Sequence, residues 1–330
     1  MPTAKVERTA EAIASMEIRG AATIAEAAAE ALAAAARESD ADDPAAFRAE
    51  MRTAARRLRD TRPTAVSLPN ALRFVLRGME GDSVPALRRS VIDTSESFLD
   101  DLESAQDRLG RIGANRLKDG DVIMTHCHST DALATVEHAV ADGKTVEAIV
   151  KETRPRNQGH ITAEALRDMG VPVTLIVDNA AHRYLNDVNH VLVGADSIAA
   201  DGSVINKIGT AGLAVSARDR GTPITVAAQT LKLHPGTLTG HTVEIEMRDE
   251  SEVIDEATRD ELGDIAVENP AFDVTPPRHV DAIVTERGQF PPESIVTLMR
   301  ELYGEIDTEP WAEPEDADAP SREGQAAPDG

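Results

Sequence analysis

From about Glu7 to Arg37 the chain is Ala-rich and helix-forming, and the pair Arg19-Gly20 interrupts the pattern, so two helices with a break between them are expected. Asp40-Ala-Asp-Asp-Pro44 is a turn able to cap a third helix, with Pro44 near its first turn, and that helix runs to about Asp60. Beyond the loop Thr61–Pro69 a short helix starts at Pro69 and reaches about Met79. Ser83 then caps a long helix. Its apolar residues Leu87, Val91, Phe98, Leu102, Ala105 and Leu109 recur at three, four or seven and form one buried stripe.

After Gly120 the period changes. Short β-branched runs at Val122–Thr125, Val146–Val150, Val173–Val177, Val191–Val193, Ile224–Ala227 and Ala282–Thr285 alternate with helical stretches such as Thr130–Ala141 and Ile161–Met169, and another helix opens after Gly209-Thr-Ala-Gly212. Continuous apolar strands joined by helices predict a parallel sheet covered on both faces. The fold class is therefore α/β. An N-terminal all-helical domain (residues 1–115) precedes a Rossmann-like, doubly wound, mostly parallel sheet domain (116–305). Residues 306–330 are Glu/Asp/Pro/Ala/Gly-rich and are expected to be a disordered acidic tail. No G-x-G-x-x-G follows any strand, which argues against NAD or FAD.

Charge narrows the partners. The 330 residues carry 58 acidic against 34 basic side chains, a formal net charge of -24, which disfavours nucleic acid and anionic membrane surfaces. Only six of the basic residues are Lys (Lys5, Lys118, Lys144, Lys151, Lys207 and Lys232), and that scarcity together with the acid excess fits a surface adapted to a high-salt cytoplasm. Cys127 is the only cysteine, so no intrachain disulfide is possible. With no apolar leader and no run of membrane-spanning length, a soluble cytoplasmic protein is expected.

Ligands of such sheets bind beyond the carboxyl ends of the strands. There the sequence places His126-Cys127-His128-Ser129, Lys151–Arg156, Gly194-Ala-Asp196, Asn206-Lys207 and Gln229–Lys232. A thiol, a carboxylic acid, two Lys and several Arg suit proton transfer on a small anionic substrate. Each has a plainer alternative. Cys127 can be a small core residue, Asp196 a cap, and Lys207 and Lys232 solvated surface. His126-x-His128 can be a metal pair, although no further Cys or matched carboxylate spacing accompanies it.

The segments Arg19-Gly-Ala21, Thr61-Arg-Pro-Thr-Ala65, Thr125-His-Cys127, Glu152–Arg156 with Gln158-Gly159, Val193-Gly-Ala-Asp196, Asn206–Thr210 and Asn269–Pro277 occur in this order. Over residues 7–305 the chain resembles the superfamily that holds the α, β and δ subunits of translation initiation factor 2B, methylthioribose-1-phosphate isomerase and archaeal ribose-1,5-bisphosphate isomerase. Regulatory members generally lack the Cys/Asp pair, which is present here. His-Cys-His-Ser-Thr is similar to the bisphosphate enzymes, whereas methylthioribose-1-phosphate isomerases typically read His-Cys-Asn-Ala-Gly. Ala22 departs from the pattern, where a second Gly is usual.

The resemblance implies conversion of α-D-ribose 1,5-bisphosphate to D-ribulose 1,5-bisphosphate, the substrate of RuBisCO, in nucleotide degradation. It makes Asp196 the proton donor and Cys127 the proton acceptor, through a phosphoenolate. Substrate contacts fall on Arg19, Gly20, Ala21, Ala22 and Arg62 at one end, and on Ser129, Thr130, Asp131, Asn206, Lys207 and Lys232 at the other. No metal or organic cofactor is implied, and a dimeric or hexameric homo-oligomer is. Methylthioribose-1-phosphate isomerase and a non-catalytic regulatory subunit of the initiation-factor type are the alternatives.

Overall fold

In the computed structural model, which describes residues 2–18, 20–62, 65–240, 243–303 and 309–312, everything described before Asp121 is helix and connecting turn. The helices are α1 (Ala4–Ala14), α2 (Ala21–Glu38), α3 (Pro44–Arg59), α4 (Ser67–Arg77) and α5 (Val84–Ala114). Local chemistry sets their ends. The Thr3 hydroxyl accepts from Val6 N, Asp43 accepts from Ala45 N and Ala46 N ahead of Pro44, and Ser83 accepts from Ala86 N. Gly20 enters α2 at φ 95°, a conformation that suits glycine and marks the expected break. Alanines on α2 let its neighbours approach closely around Leu32, Phe47, Met51, Leu58, Leu72, Leu87 and Val91. The stripe on α5 is buried as its spacing predicts, except that Leu102 is only partly covered.

The remaining strands are β1 (Asp121–Thr125), β2 (Val146–Lys151), β3 (Val173–Ile176), β4 (His190–Val193), β5 (Ser197–Ala199), β6 (Val204–Lys207), β7 (Ile224–Ala227), β8 (Leu233–His234), β9 (Phe272–Thr275), β10 (Ala282–Thr285) and β11 (Gly288–Phe290). They alternate with α6 (Thr130–Ala141), α7 (Gln158–Asp168), α8 (Ala181–Tyr184), α9 (Thr210–Arg220), α10 (Glu256–Leu262) and α11 (Ile295–Tyr303). The main sheet runs β3-β2-β1-β4-β7-β10-β11, parallel throughout except for the antiparallel edge strand β11. The chain builds outward from β1 to β3, then returns to the other side of β1 with β4. That reversal opens a crevice between the carboxyl ends of β1 and β4.

Two features depart from expectation. Four short strands form a second sheet, β8-β5-β6-β9, beyond the main one, where the sequence reads as loop. In addition, Glu309–Ala312 fall in the stretch assigned to the tail, yet they pack on the helices. Trp311 is 3% exposed in the helical core, and its carbonyl accepts from Arg56 Nη1 at 2.9 Å. A single aromatic residue supplies enough apolar area to dock an otherwise polar segment. Residues 313–330 lie outside the described residues.

Candidate active site

β1 ends in a backbone that turns sharply, and Cys127 sits there at φ 70°. Such a conformation is costly for a non-glycine residue and persists only where its surroundings over-determine it. Here they do. Cys127 N donates to Thr153 Oγ1 at 2.9 Å, and Thr162 Oγ1 donates to Cys127 O at 2.8 Å. Thr153, itself at φ 62°, is held by Asp178, which accepts its N–H at 3.0 Å. His126 Nε2 donates to the Ile208 carbonyl at 2.8 Å, so its Nδ1, 3.2 Å from Thr153 Oγ1, acts as an acceptor. Burial, with Lys151 nearby, lowers the His126 pKa to about 4, which keeps the ring neutral in this bracing role. The His128 ring turns instead to Thr162 Oγ1, 3.0 Å away, so the two imidazoles do not converge as a metal pair.

Asp196 follows β4 across the crevice, next to Cys127 in charge as well as in space, since its carboxylate helps to raise the thiol pKa. The second sheet then accounts for the rest of the constellation. Asp196 immediately precedes β5, Lys207 ends β6, Lys232 immediately precedes β8, and Phe272 opens β9 opposite Lys207. Because β5 and β6 are antiparallel, β5 and β8 parallel, and β6 and β9 antiparallel, all four positions lie along one edge of that sheet. This edge faces the Cys127 turn.

Each side chain has a definite setting. Lys207 Nζ stands 4.9 Å from the Phe272 ring centroid, and Arg248 Cζ stands 5.6 Å from the same ring. Asn206 is buried and donates from Nδ2 to Thr210 Oγ1 at 3.0 Å. Lys232 Nζ donates to Asp131 Oδ2 at 2.8 Å, and Gln229 Nε2 donates to Asp131 Oδ1 at 2.9 Å. Asp131, expected among the substrate contacts, is buried and thus holds the Lys232 ammonium. Ser129 caps α6 by accepting from Ala132 N, and Thr130 begins that helix on an exposed face. Gly194 makes room for Ser129, because a Cβ there would lie 2.2 Å from Ser129 Oγ.

Burial raises the Cys127 pKa to about 11, against the pull of Lys207 and Arg248. Asp196 is reached by cleft water, yet protein walls crowd it, and desolvation raises its pKa despite Lys232, Lys207 and Arg248. Burial lowers the Lys207 pKa. It also pushes Lys232 down, but Asp131, Asp196 and Cys127 together outweigh it and the net shift is upward. A neutral thiol, a carboxyl group displaced toward neutrality and two constrained ammonium groups are therefore gathered in one cleft.

The other expected contacts lie before β1. Gly20, Ala21 and Ala22 form the exposed or half-exposed start of α2, Arg62 is half-buried in its loop, and Arg19 lies outside the described residues. Conversely, Gln158, whose Oε1 is 3.4 Å from Cys127 Sγ, and Arg248 were absent from the residues expected at the site. Gln158 belongs to the Glu152–Gly159 motif, whereas Arg248 carries no periodic or motif signal.

Residues 17–292 match the model of the initiation factor 2 subunit family. The chain belongs to that family. Within it, a Haloferax volcanii protein named ribose 1,5-bisphosphate isomerase is 72% identical over 94% of this chain and 96% of its own length. A Thermococcus kodakarensis protein of the same name is 48% identical over 93% and 98%. The solved translation initiation factor eIF-2B of Pyrococcus horikoshii superposes with a TM-score of 0.73 at 30% identity, covering 89% of this chain and 99% of that one.

Proposed function

We propose that the chain is an isomerase that converts α-D-ribose 1,5-bisphosphate to D-ribulose 1,5-bisphosphate. The observation that carries this is the pairing of Cys127 with Asp196 across the crevice, with Lys207 and Lys232 beside them on one sheet edge. The relatives that share this name at 72% and 48% identity support it independently.

The chemistry follows from the substrate. Its C1 oxygen carries phosphate, so the ring opens only if the C1–O4 bond breaks with a proton delivered to O4. Asp196 supplies that proton. Cys127, as thiolate, takes the proton from C2, and the electron pair forms the C1–C2 double bond of the phosphoenolate. Return of the thiol proton to C1, with loss of the C2 hydroxyl proton to Asp196, gives the ketone and restores both residues. Lys232 and Lys207, with Asn206 and the segment Ser129-Thr130-Asp131, receive one phosphate. Arg19, Gly20, Ala21, Ala22 and Arg62 receive the other, which puts the site between a helical domain and a Rossmann-like domain divided near residue 115. Closure between them excludes water from the phosphoenolate. A homo-oligomeric state, dimer or hexamer, belongs to the same reading.

The test is an assay of the purified chain in high-salt buffer with both ribose 1,5-bisphosphate and methylthioribose 1-phosphate. Ribulose 1,5-bisphosphate is expected, and Cys127→Ser and Asp196→Asn each lower kcat by roughly 100-fold or more. Absence of that product, or faster turnover of the methylthio substrate, rejects the proposal.

A further inference from the structure

Behind Lys232 lies a buried network that the proton transfers do not use. Residues Thr230–Lys232 form a single tight turn ahead of β8. On the sheet side, Tyr303 Oη donates to Thr230 O at 2.9 Å and Gln229 bonds to Asp131. On the helical side, Leu231 inserts into the core of the five-helix bundle. Asn70 of α4, 1% exposed, donates from Nδ2 to Leu231 O at 2.8 Å and to Leu233 O at 2.6 Å. One amide group thus clamps the backbone on both sides of Lys232.

The orientation of that amide is itself specified. Both of its hydrogens are used, and Asn70 Oδ1 accepts from Arg73 Nη1 at 2.8 Å. A flipped amide would set NH2 against a guanidinium and oxygen against two carbonyls. Arg73 is 4% exposed, and its charge is balanced by Glu309, which accepts from Nε at 2.8 Å and from Nη2 as a fork. Trp311 covers the guanidinium, with its ring centroid 5.3 Å from Arg73 Cζ. The network therefore runs from the docked segment Glu309–Ala312, through Arg73 and Asn70, to the two peptide groups that flank Lys232.

We propose that Asn70, Arg73 and Glu309 are positioning residues that fix the Lys232 turn and thereby the point at which its ammonium meets a substrate phosphate. A Lys head group on a four-carbon stem is a mobile charge. Asp131 restrains the head and Asn70 the backbone, so Lys232 is held from both ends. This inference rests on the phosphosugar reading of the site.

Four variants of the full chain, Lys232→Met, Asn70→Ala, Glu309→Gln and Lys232→Met with Asn70→Ala, are compared with wild type in high-salt buffer. KM and kcat for ribose 1,5-bisphosphate, thermal midpoint, and emission of Trp311, the sole tryptophan, are recorded. Lys232→Met raises KM by roughly 10- to 100-fold, the range of a charge-assisted hydrogen bond. Asn70→Ala raises KM about tenfold with kcat within about twofold, the pattern of lost uniform binding. Glu309→Gln, at a partly exposed carboxylate, moves KM about threefold in the same direction and shifts Trp311 emission to the red. In the double variant Asn70→Ala adds nothing to the Lys232→Met effect, because the turn then has no ammonium to place. Folded Asn70→Ala and Glu309→Gln proteins with lowered thermal midpoints and wild-type KM, alongside a raised KM for Lys232→Met, overturn the positioning role alone. An unchanged KM for Lys232→Met overturns the phosphate role of Lys232 and the positioning role with it. Should Asn70→Ala fail to fold, the KM of Glu309→Gln decides.

Discussion

Cys127 stands at rest in the opposite protonation state to the one its proposed task requires. With a pKa near 11, about one thiol in ten thousand is ionised at pH 7. Desolvation likewise raises Asp196 above its ordinary carboxylate range, toward holding a proton. Moving one proton from the thiol to the carboxylate leaves the charge of the cleft unchanged, so the productive pair differs from the resting pair only in where that proton sits. Because Cys127 is the only cysteine, alkylation by iodoacetamide reads its ionisation directly. In the ligand-free protein the rate is expected to rise about tenfold per pH unit from pH 7 upward, with no plateau before about pH 10. Asp196→Asn removes a charge that raises the thiol pKa, so alkylation at a fixed pH becomes faster. Arg248→Ala removes a charge that lowers it, so alkylation becomes slower. A wild-type midpoint near that of free cysteine, or shifts of one sign in both variants, would sink this account. The placement of Cys127 and Asp196 at neighbouring strand ends was legible because a scarce residue type stood at a strand end within an ordered set of motifs. The acidity of Cys127 was not, since it depends first on burial and then on Asp196, Lys207 and Arg248, surroundings that only the fold assembles.

At the level of elements, α1–α7, α9 and the six core strands were legible because their apolar periods are long or continuous, whereas α8, α10 and α11 were not read. The second sheet was not. Its strands are two to four residues long, and polar residues such as Asn206, Lys207 and Asp273 occupy them. Their pairing comes from tertiary placement rather than local propensity. Yet this sheet aligns Asp196, Lys207 and Lys232, so the least legible element organises the site. The β2–α7 junction is the other tight point. A Cβ on Gly159 would lie 1.8 Å from the Lys151 carbonyl oxygen, a backbone atom that cannot swing away. Gly159→Ala should therefore cost roughly 3 kcal/mol or more and displace Gln158 and the Cys127 turn with it. Gly212, on the first turns of α9 with nothing within 4 Å, is the control. Gly212→Ala should stabilise by about 0.5–1 kcal/mol through the lower entropy of the unfolded chain. Urea unfolding of both variants checks the pair, and equal effects would mean that the contact at Gly159 relaxes.

For the whole molecule, the net charge of -24 sets two salt dependences of opposite sign. Surface carboxylates repel one another in the folded state, and the repulsion has a range of about 10 Å at 0.1 M salt but about 3 Å at 1 M. The thermal midpoint is therefore expected to climb by about 10 °C or more between 0.1 and 3 M KCl, the response to a few kcal/mol of relieved repulsion in a chain of this size. On the proposed reading, a bisphosphate meets Lys207 and Lys232 by attraction between opposite charges, so the same salt should raise KM. That rise should be modest, because the Lys232–Asp131 pair is buried and its own geometry is little screened. An osmolyte such as sucrose strengthens burial without screening charge. If sucrose at 0.1 M KCl restored the midpoint as fully as 3 M KCl, carboxylate repulsion would not be what destabilises the protein at low salt. If the midpoint follows KCl but not sucrose, while KM rises with KCl, the acidic surface and the cationic cleft act as separate electrostatic systems. The first then tolerates high salt because its charges are alike, and the second because Lys232 is held in place by the buried Asp131.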